Sequence, residues 1–205
     1  MAQEGREVQT AELVPEQLGS LHNKLSGHDR YTGGHSARVA HYAKLVARHL
    51  GLNATEVELV GTAALVHDIG KVGVPTEVLS KTGSLNDAEY ALIRLHPTLG
   101  ATILSTLPGM EEVIPIVLHH HERWDGRGYP SGLSGLDIPL AARIIFVVDA
   151  FDAMTTNRPY GEVRTHEEAI EEIDRCAGQQ FDPLVTEAFI RAFANGQLSG
   201  GAPRT

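Results

Sequence analysis

Titratable side chains set inside and at the ends of apolar helical runs constrain this chain more than any other feature. His67-Asp68 closes a run carrying Val57, Val60 and Ala64, His120-His121 closes one carrying Val113, Ile114, Ile116, Val117 and Leu118, and Asp149 interrupts Ile144-Ile145-Phe146-Val147-Val148 before Ala150-Phe151. A carboxylate buried without compensation is costly, so any fold that buries these runs must bring the polar groups to partners. With His96 they form a metal-ligand inventory that contains no thiolate, since Cys176 is the only cysteine. Imidazoles and carboxylates suit divalent manganese, iron, zinc or nickel, and two such metals together polarise phosphate esters and deprotonate water. The pattern points to metal-assisted phosphoester hydrolysis.

Bulk properties narrow the class. At 205 residues, 42% hydrophobic and 21% charged, the chain is expected to form one well-buried domain. Its formal charge of -9 argues against broad DNA or RNA binding, which needs a basic footprint. An anionic substrate then needs local help, which two divalent metals supply with roughly +4 of charge, alongside Lys71, Arg127 and Arg143. The lone cysteine fits a reducing compartment. The start lacks a signal-peptide pattern and no run approaches a membrane span, so a soluble, cytoplasmic protein without a membrane partner is expected.

Residues 1–25 are polar and read as an N-terminal tail or linker, and residues 196–205 as a flexible C-terminal tail, leaving 26–195 as the domain. Within it the signals are helical. Ser36 to Leu50 repeats apolar residues with Gly51 as a stop. Asn53 with Glu56, and Thr165 with Glu168, are capping-box pairs. Ser84 or Asn86 starts a helix toward His96, where Pro97 breaks or restarts it. Met110 to His121 forms a further helix, and Asp182-Pro183 opens the last. The β-branched stretch Ile144 to Val148 would pass for a strand, but its continuation to Met154 favours one long buried helix. The fold class expected is all-α.

Consecutive residues on a helix point about 100° apart. His67 and Asp68 therefore address one point only from a helix end, which the following Gly70 supports. Asp68 there can bridge two cations with its two oxygens, and His120-His121 poses the same geometry. Asp149 has two readings, a metal ligand or a buried salt bridge to Arg143 or Arg38. Asp152, three residues on, suits a supporting role rather than direct ligation.

The sequence His67-Asp68-Ile69-Gly70-Lys71-Val72-Gly73-Val74-Pro75, then Leu79-Ser80-Lys81-Thr82-Gly83, then His119-His120-His121-Glu122-Arg123-Trp124-Asp125-Gly126-Arg127-Gly128-Tyr129-Pro130 resembles the HD-GYP subgroup of the HD phosphohydrolases. Arg143-Ile144, the stretch Asp149 to Met154, Arg158-Pro159-Tyr160 and Phe181-Asp182-Pro183 continue the resemblance, which covers about residues 28–190. It implies a single HD-type bundle of about seven to nine helices with a metal site in its core, and a bacterial phosphodiesterase that opens cyclic di-GMP to linear pGpG and sometimes onward to GMP. Family ligands fall on His35, His67, Asp68, His96, His120, His121 and Asp149. By analogy His35, His67, Asp68 and Asp149 hold one metal, and Asp68 bridges to a second held by His96, His120 and His121. Iron or manganese is the family's usual metal, with zinc, nickel or magnesium as alternatives.

The resemblance further gives Lys71 a place at the scissile phosphate or the attacking water, and makes Arg127, Tyr129, Arg143 and Arg158 candidate substrate contacts. The Gly126–Pro130 loop either touches substrate or seats a neighbouring domain. Some family members hold a third metal with a glutamate four residues before the first ligand histidine. Tyr31 stands at that position, so two metals are expected. His22, His28, His41, His49, His119 and His166 are left as surface or packing histidines. Two rival readings remain, a phosphohydrolase for another cyclic dinucleotide or nucleotide, and a catalytically weak module that binds cyclic di-GMP. Receiver or sensor proteins and a second copy of the chain are the partners the family suggests.

Overall fold

Three helices begin on complete capping boxes, at Asn53 with Glu56, Asn86 with Glu89 and Thr165 with Glu168; in each, side chain and backbone bond reciprocally. The computed structural model describes residues 32–156 and 163–194. Among these residues the chain runs α1 (Thr32–His49), α2 (Ala54–Val66), a 3-10 turn (Ile69–Gly73), α3 (Thr76–Leu79), α4 (Asp87–Ile93), α5 (His96–Leu104), α6 (Val113–Leu118), a second 3-10 turn (Gly135–Asp137), α7 (Leu140–Thr155), α8 (His166–Arg175) and α9 (Pro183–Ala194). The described residues contain no strand, only an isolated bridge between Ala177 and Phe181. The all-α expectation is met. No helix among them is long and apolar enough to cross a membrane. The proposed tails at 1–25 and 196–205 lie outside the described residues, as do His22, His28, Tyr31 and Arg158.

The core is the shared face of α1, α2 and α7. Val39, Ala43, Val46 and Ala47 line one side of α1 at helical spacing, and meet Val57, Val60, Ala63 and Ala64 of α2. Ile144, Ile145, Val147 and Val148 are fully buried in α7, which confirms the long-helix reading of that β-branched stretch. Tertiary burial outweighs the small helical penalty of β-branching, since each such side chain contributes roughly 1.5–3 kcal/mol on burial. Phe151 closes this layer edge-to-face against Tyr42, Phe189 and Phe193.

One helix end differs from the sequence reading, and one restart follows it. α6 stops at Leu118, with His119 as its C-cap, so His120 and His121 lie in a turn rather than inside a helix. α4 ends at Ile93, and α5 restarts at His96 with Pro97 in its first turn, where a missing N–H costs nothing.

Gly70 makes the closest backbone approach to α5. A Cβ there would lie 1.9 Å from the His96 carbonyl oxygen and 2.5 Å from the Gly100 nitrogen, so only glycine lets the 3-10 turn lie against α5. We expect Gly70→Ala to cost about 1–3 kcal/mol of stability by overpacking, read as a lower urea midpoint. An unchanged midpoint would show that the two backbones need not approach so closely.

Candidate metal centre

Helix ends carry most of the titratable groups to one point. His67 is the C-cap of α2 and Asp68 follows it, His96 opens α5, and His120-His121 follow α6. His35 lies in the first turns of α1 and Asp149 in the middle of α7. His35, His67, Asp68, His96 and His120 are buried. Their potential donor atoms fall into three sets, each within 4.8 Å: His35, His67 and Asp149; His67, Asp68 and His120; and His96, His120 and His121. All seven positions named from the resemblance are thus brought together.

Three of the imidazoles are oriented by one device. His67 Nδ1 lies 2.7 Å from the Ala64 carbonyl, His96 Nδ1 2.7 Å from that of Ile93, and His120 Nδ1 2.6 Å from that of Val117. Each pairing is with the residue three before, at or just beyond a helix end. Because a carbonyl only accepts, the proton sits on Nδ1 and the Nε2 lone pair points inward. His67 Nε2 is buried without a hydrogen-bond partner, and His96 Nε2 faces His120 Nε2 at 3.2 Å. Converging lone pairs beside carboxylates are a donor set that fits divalent cations.

Asp68 divides its oxygens. Oδ1 lies 3.5 Å from His96 Nε2, while Oδ2 lies 3.5 Å from His67 Nε2, 3.8 Å from His35 Nε2 and 2.6 Å from Lys71 Nζ. Burial alone would raise its pKa, but Lys71, His67 and His96 together hold it well below the carboxylate range. Asp149 is likewise held low against burial, chiefly by its contact with His35, whose Nε2 is 3.2 Å from Oδ1. Burial disfavours the charged form of His35, yet Asp149 and Asp152 outweigh it and raise its pKa to about 9. Burial pushes the other side of the cluster the opposite way: His121 falls to about 3, and His96 and His120 are also lowered. Neutral imidazoles are the form that ligates, so His96, His120 and His121 can ligate as they stand, whereas His35 must release its Nε2 proton when a cation binds.

His35 is oriented by a carboxylate instead of a carbonyl. Its Nδ1 donates to Asp152 Oδ2 at 2.7 Å, and Arg38 grips the same carboxylate from the other side with Nε and Nη2. Arg38 therefore pairs with Asp152 rather than with Asp149. Arg143 is committed elsewhere: its Nη1 bonds Asp182, its Nε the Ile138 carbonyl, and its guanidinium lies 5.9 Å from the Trp124 ring centroid. The salt-bridge reading of Asp149 accordingly fails for both arginines, and Arg143 serves the α7–α9 packing instead of facing the cluster.

The glycine-rich loop after His121 reaches the centre through Tyr129, whose ring stacks on His121 at 4.9 Å and 28°. Arg127 is exposed. Glu122, to which the sequence reading gave no role, holds this loop: it is buried, and its Oε1 accepts from the Ser131 and Gly132 amides. Gly128 packs so tightly on Glu122 that a Cβ would lie 2.4 Å from its Cα. An acidic residue directly after the ligand pair was the one available signal. His41, His49, His119 and His166 belong to none of the three donor sets.

An HD domain model matches residues 19–185. The chain belongs to the HD domain family. On the motifs set out above it falls in the HD-GYP subgroup. It is 40% identical over 172 residues to a cyclic di-GMP phosphodiesterase of Thermotoga maritima, covering 82% of this chain and 47% of that protein. It is 42% identical over 170 residues to a cyclic di-GMP phosphodiesterase of Pseudomonas aeruginosa, covering 82% of this chain and 41% of that one. This HD domain chain thus spans less than half the length of these two curated relatives. Its fold matches the crystal structure of a cyclic GMP-AMP-specific phosphodiesterase of Vibrio cholerae with a TM-score of 0.72 at 23% identity, over 94% of this chain and 51% of that one.

Two expectations follow from this HD centre. Asp152→Ala removes the anchor of His35 and is expected to weaken metal affinity about 10–100-fold, as measured by competition with a chromogenic chelator; unaltered affinity would separate Asp152 from the site. The second concerns pH. His96, His120 and His121 take up protons less readily when folded than when unfolded, so folding loses stability as pH falls below about 6.5. His35 has the opposite sign, stabilising below about 6.5 and losing that contribution as pH rises through 9. Three groups outweigh one, so the melting temperature of chelator-treated protein should fall between pH 6.5 and pH 5. A flat or rising profile there contradicts the assignment.

Proposed function

We propose that this HD domain is a metal-dependent phosphodiesterase that hydrolyses cyclic di-GMP to linear pGpG, to GMP or to both, in bacterial second-messenger signalling. The observation that carries the reading is the divided carboxylate of Asp68, one oxygen toward His96 and the other toward His67 and His35. The curated relatives named above as cyclic di-GMP phosphodiesterases supply the substrate class.

His35, His67, Asp68 and Asp149 would hold one divalent cation, and His96, His120 and His121, with Asp68 shared, the second; iron or manganese is expected at both. Bound there, the two cations supply Lewis acidity toward phosphate oxygens and a water acidic enough to act as nucleophile. Asp68 sets the separation of the two ligand sets, and Asp152 with Arg38 keeps the His35 ring aimed. Lys71, 2.6 Å from Asp68, places a cation at the rim where the scissile phosphate enters. Arg127 and Tyr129 offer charge and a ring on the loop side, and Arg158, outside the described residues, keeps the substrate role suggested by its motif. Arg143 is left out because Asp182 occupies it. The relatives are more than twice as long as the shared segment, which leaves room in them for regulatory modules. A receiver or sensor partner for this chain follows as part of the same proposal.

A second reading differs only in substrate, because ligands fix chemistry more firmly than they fix the nucleotide. The Vibrio cholerae structural neighbour is described as specific for cyclic GMP-AMP. Product analysis separates the readings. Protein prepared anaerobically with iron or manganese is expected to contain two metals per chain and to convert cyclic di-GMP to pGpG, GMP or both, with slower turnover of cyclic GMP-AMP and bis(p-nitrophenyl) phosphate. Asp68→Ala should abolish turnover and lower metal content. Faster cyclic GMP-AMP hydrolysis would transfer the assignment to that substrate, binding without hydrolysis would leave a signalling module, and three metals per chain would overturn the two-metal centre.

A further inference from the structure

Helix α4 contributes no buried residue to the core, yet it is capped on a full capping box and fixed by the Lys81–Glu89 ion pair. Tyr90 stands 50% exposed on it, where a ring gains little from the fold. Asp87, Tyr90, Ala91 and Arg94 line an open-sided concavity of about 400 Å³ on this helix. That volume lies within the range of small-molecule subsites. Of these lining residues, Arg94 has its guanidinium 4.7 Å from the centroid of the Tyr129 ring, and Tyr129 stacks on His121. A continuous stack of Arg94, Tyr129 and His121 thus joins the concavity to the metal-ligand cluster. No ion pair engages Asp87 or Arg94 among the described residues.

We propose that this concavity seats the nucleobase of the substrate's non-reacting nucleotide, with guanine preferred. The proposal rests on the cyclic dinucleotide reading above and names which part of that substrate the fold recognises outside the metal cluster. A cyclic dinucleotide placed with one phosphodiester at the cluster must lay its second nucleotide along the neighbouring surface, and the stack leads to this one. Tyr90 offers a ring for base stacking, which is sequence-tolerant because every base has a π face. Arg94 offers a planar cation that hydrogen-bonds a purine edge and stacks equally well. Asp87 supplies the discrimination. A carboxylate accepts only, and guanine presents two adjacent N–H donors on its Watson–Crick edge where adenine presents one donor beside an acceptor. Asp87 and Arg94 therefore have separate consequences, the first for which base binds and the second for how tightly any dinucleotide binds.

The test is equilibrium binding of slowly hydrolysed phosphorothioate analogues of cyclic di-GMP and cyclic di-AMP to the manganese-loaded protein, by calorimetry. The native chain should bind the guanine analogue at least about tenfold more tightly. Arg94→Ala should weaken both by about tenfold, and Asp87→Asn should weaken the guanine analogue alone. Hydrolysis of bis(p-nitrophenyl) phosphate, which has no nucleobase, should be unchanged in both variants. Equal affinity of the native chain for the two analogues, or variants indistinguishable from it, overturns the subsite while leaving the phosphodiesterase reading intact. Loss of bis(p-nitrophenyl) phosphate turnover in Arg94→Ala makes Arg94 a prop for Tyr129 and also overturns it. Failure of the native chain to bind either analogue removes both readings together.

Discussion

A carboxylate buried among helices must be compensated, and the compensation of Asp68 organises this molecule. Burial disfavours its charge, yet Lys71, His67, His96 and His35 surround it closely enough to hold it ionised. These partners come from α1, the end of α2, the turn after it and the start of α5. Satisfying one charge therefore fixes four segments relative to one another. Gly70 permits this by letting the turn lie directly on the α5 backbone, where any side chain would hold Asp68 away from His96.

Around that carboxylate the fold spends its rigid parts on aim. Carbonyls three residues back lock His67, His96 and His120, so the tautomer follows from helix termination itself. His35 sits within a helix whose own bonds use those carbonyls, and it takes its orientation from Asp152, which Arg38 grips in turn. On the outer side, Glu122 ties down the loop that brings Tyr129 onto His121. The result is a polar interior with two electrostatic sides. His35 is held charged beside three carboxylates, while His96, His120 and His121 are held neutral by burial.

Much of this was legible beforehand because its causes are local. The capping boxes at Asn53 and Thr165, the stop at Gly51, the restart at Pro97 and the cap at Asp182 act within one helical turn, and each operates as read. The motifs supplied the seven converging residues. What misled were contacts over long separations. Arg38 and Arg143 were reasonable partners for Asp149, but Arg38 pairs with Asp152 across 114 residues of sequence and Arg143 with Asp182 across 39. The shortening of α6 was hidden for a similar reason: an apolar pattern continues to the histidines, and only their inward turn ends the helix at Leu118.

By itself, then, the sequence determined the helices, their ends and the kinds of donor atom placed at those ends, because capping chemistry and apolar periodicity are short-range. It also determined the family, through motifs long enough to be specific. Tertiary structure alone decided which oxygen of Asp68 faces which imidazole, which carboxylate orients His35, and that Tyr129 and Arg94 stack outward from His121. Those pairings depend on how helices distant in sequence pack, and a charge in a low-dielectric interior takes whichever partner that packing brings within a few ångströms.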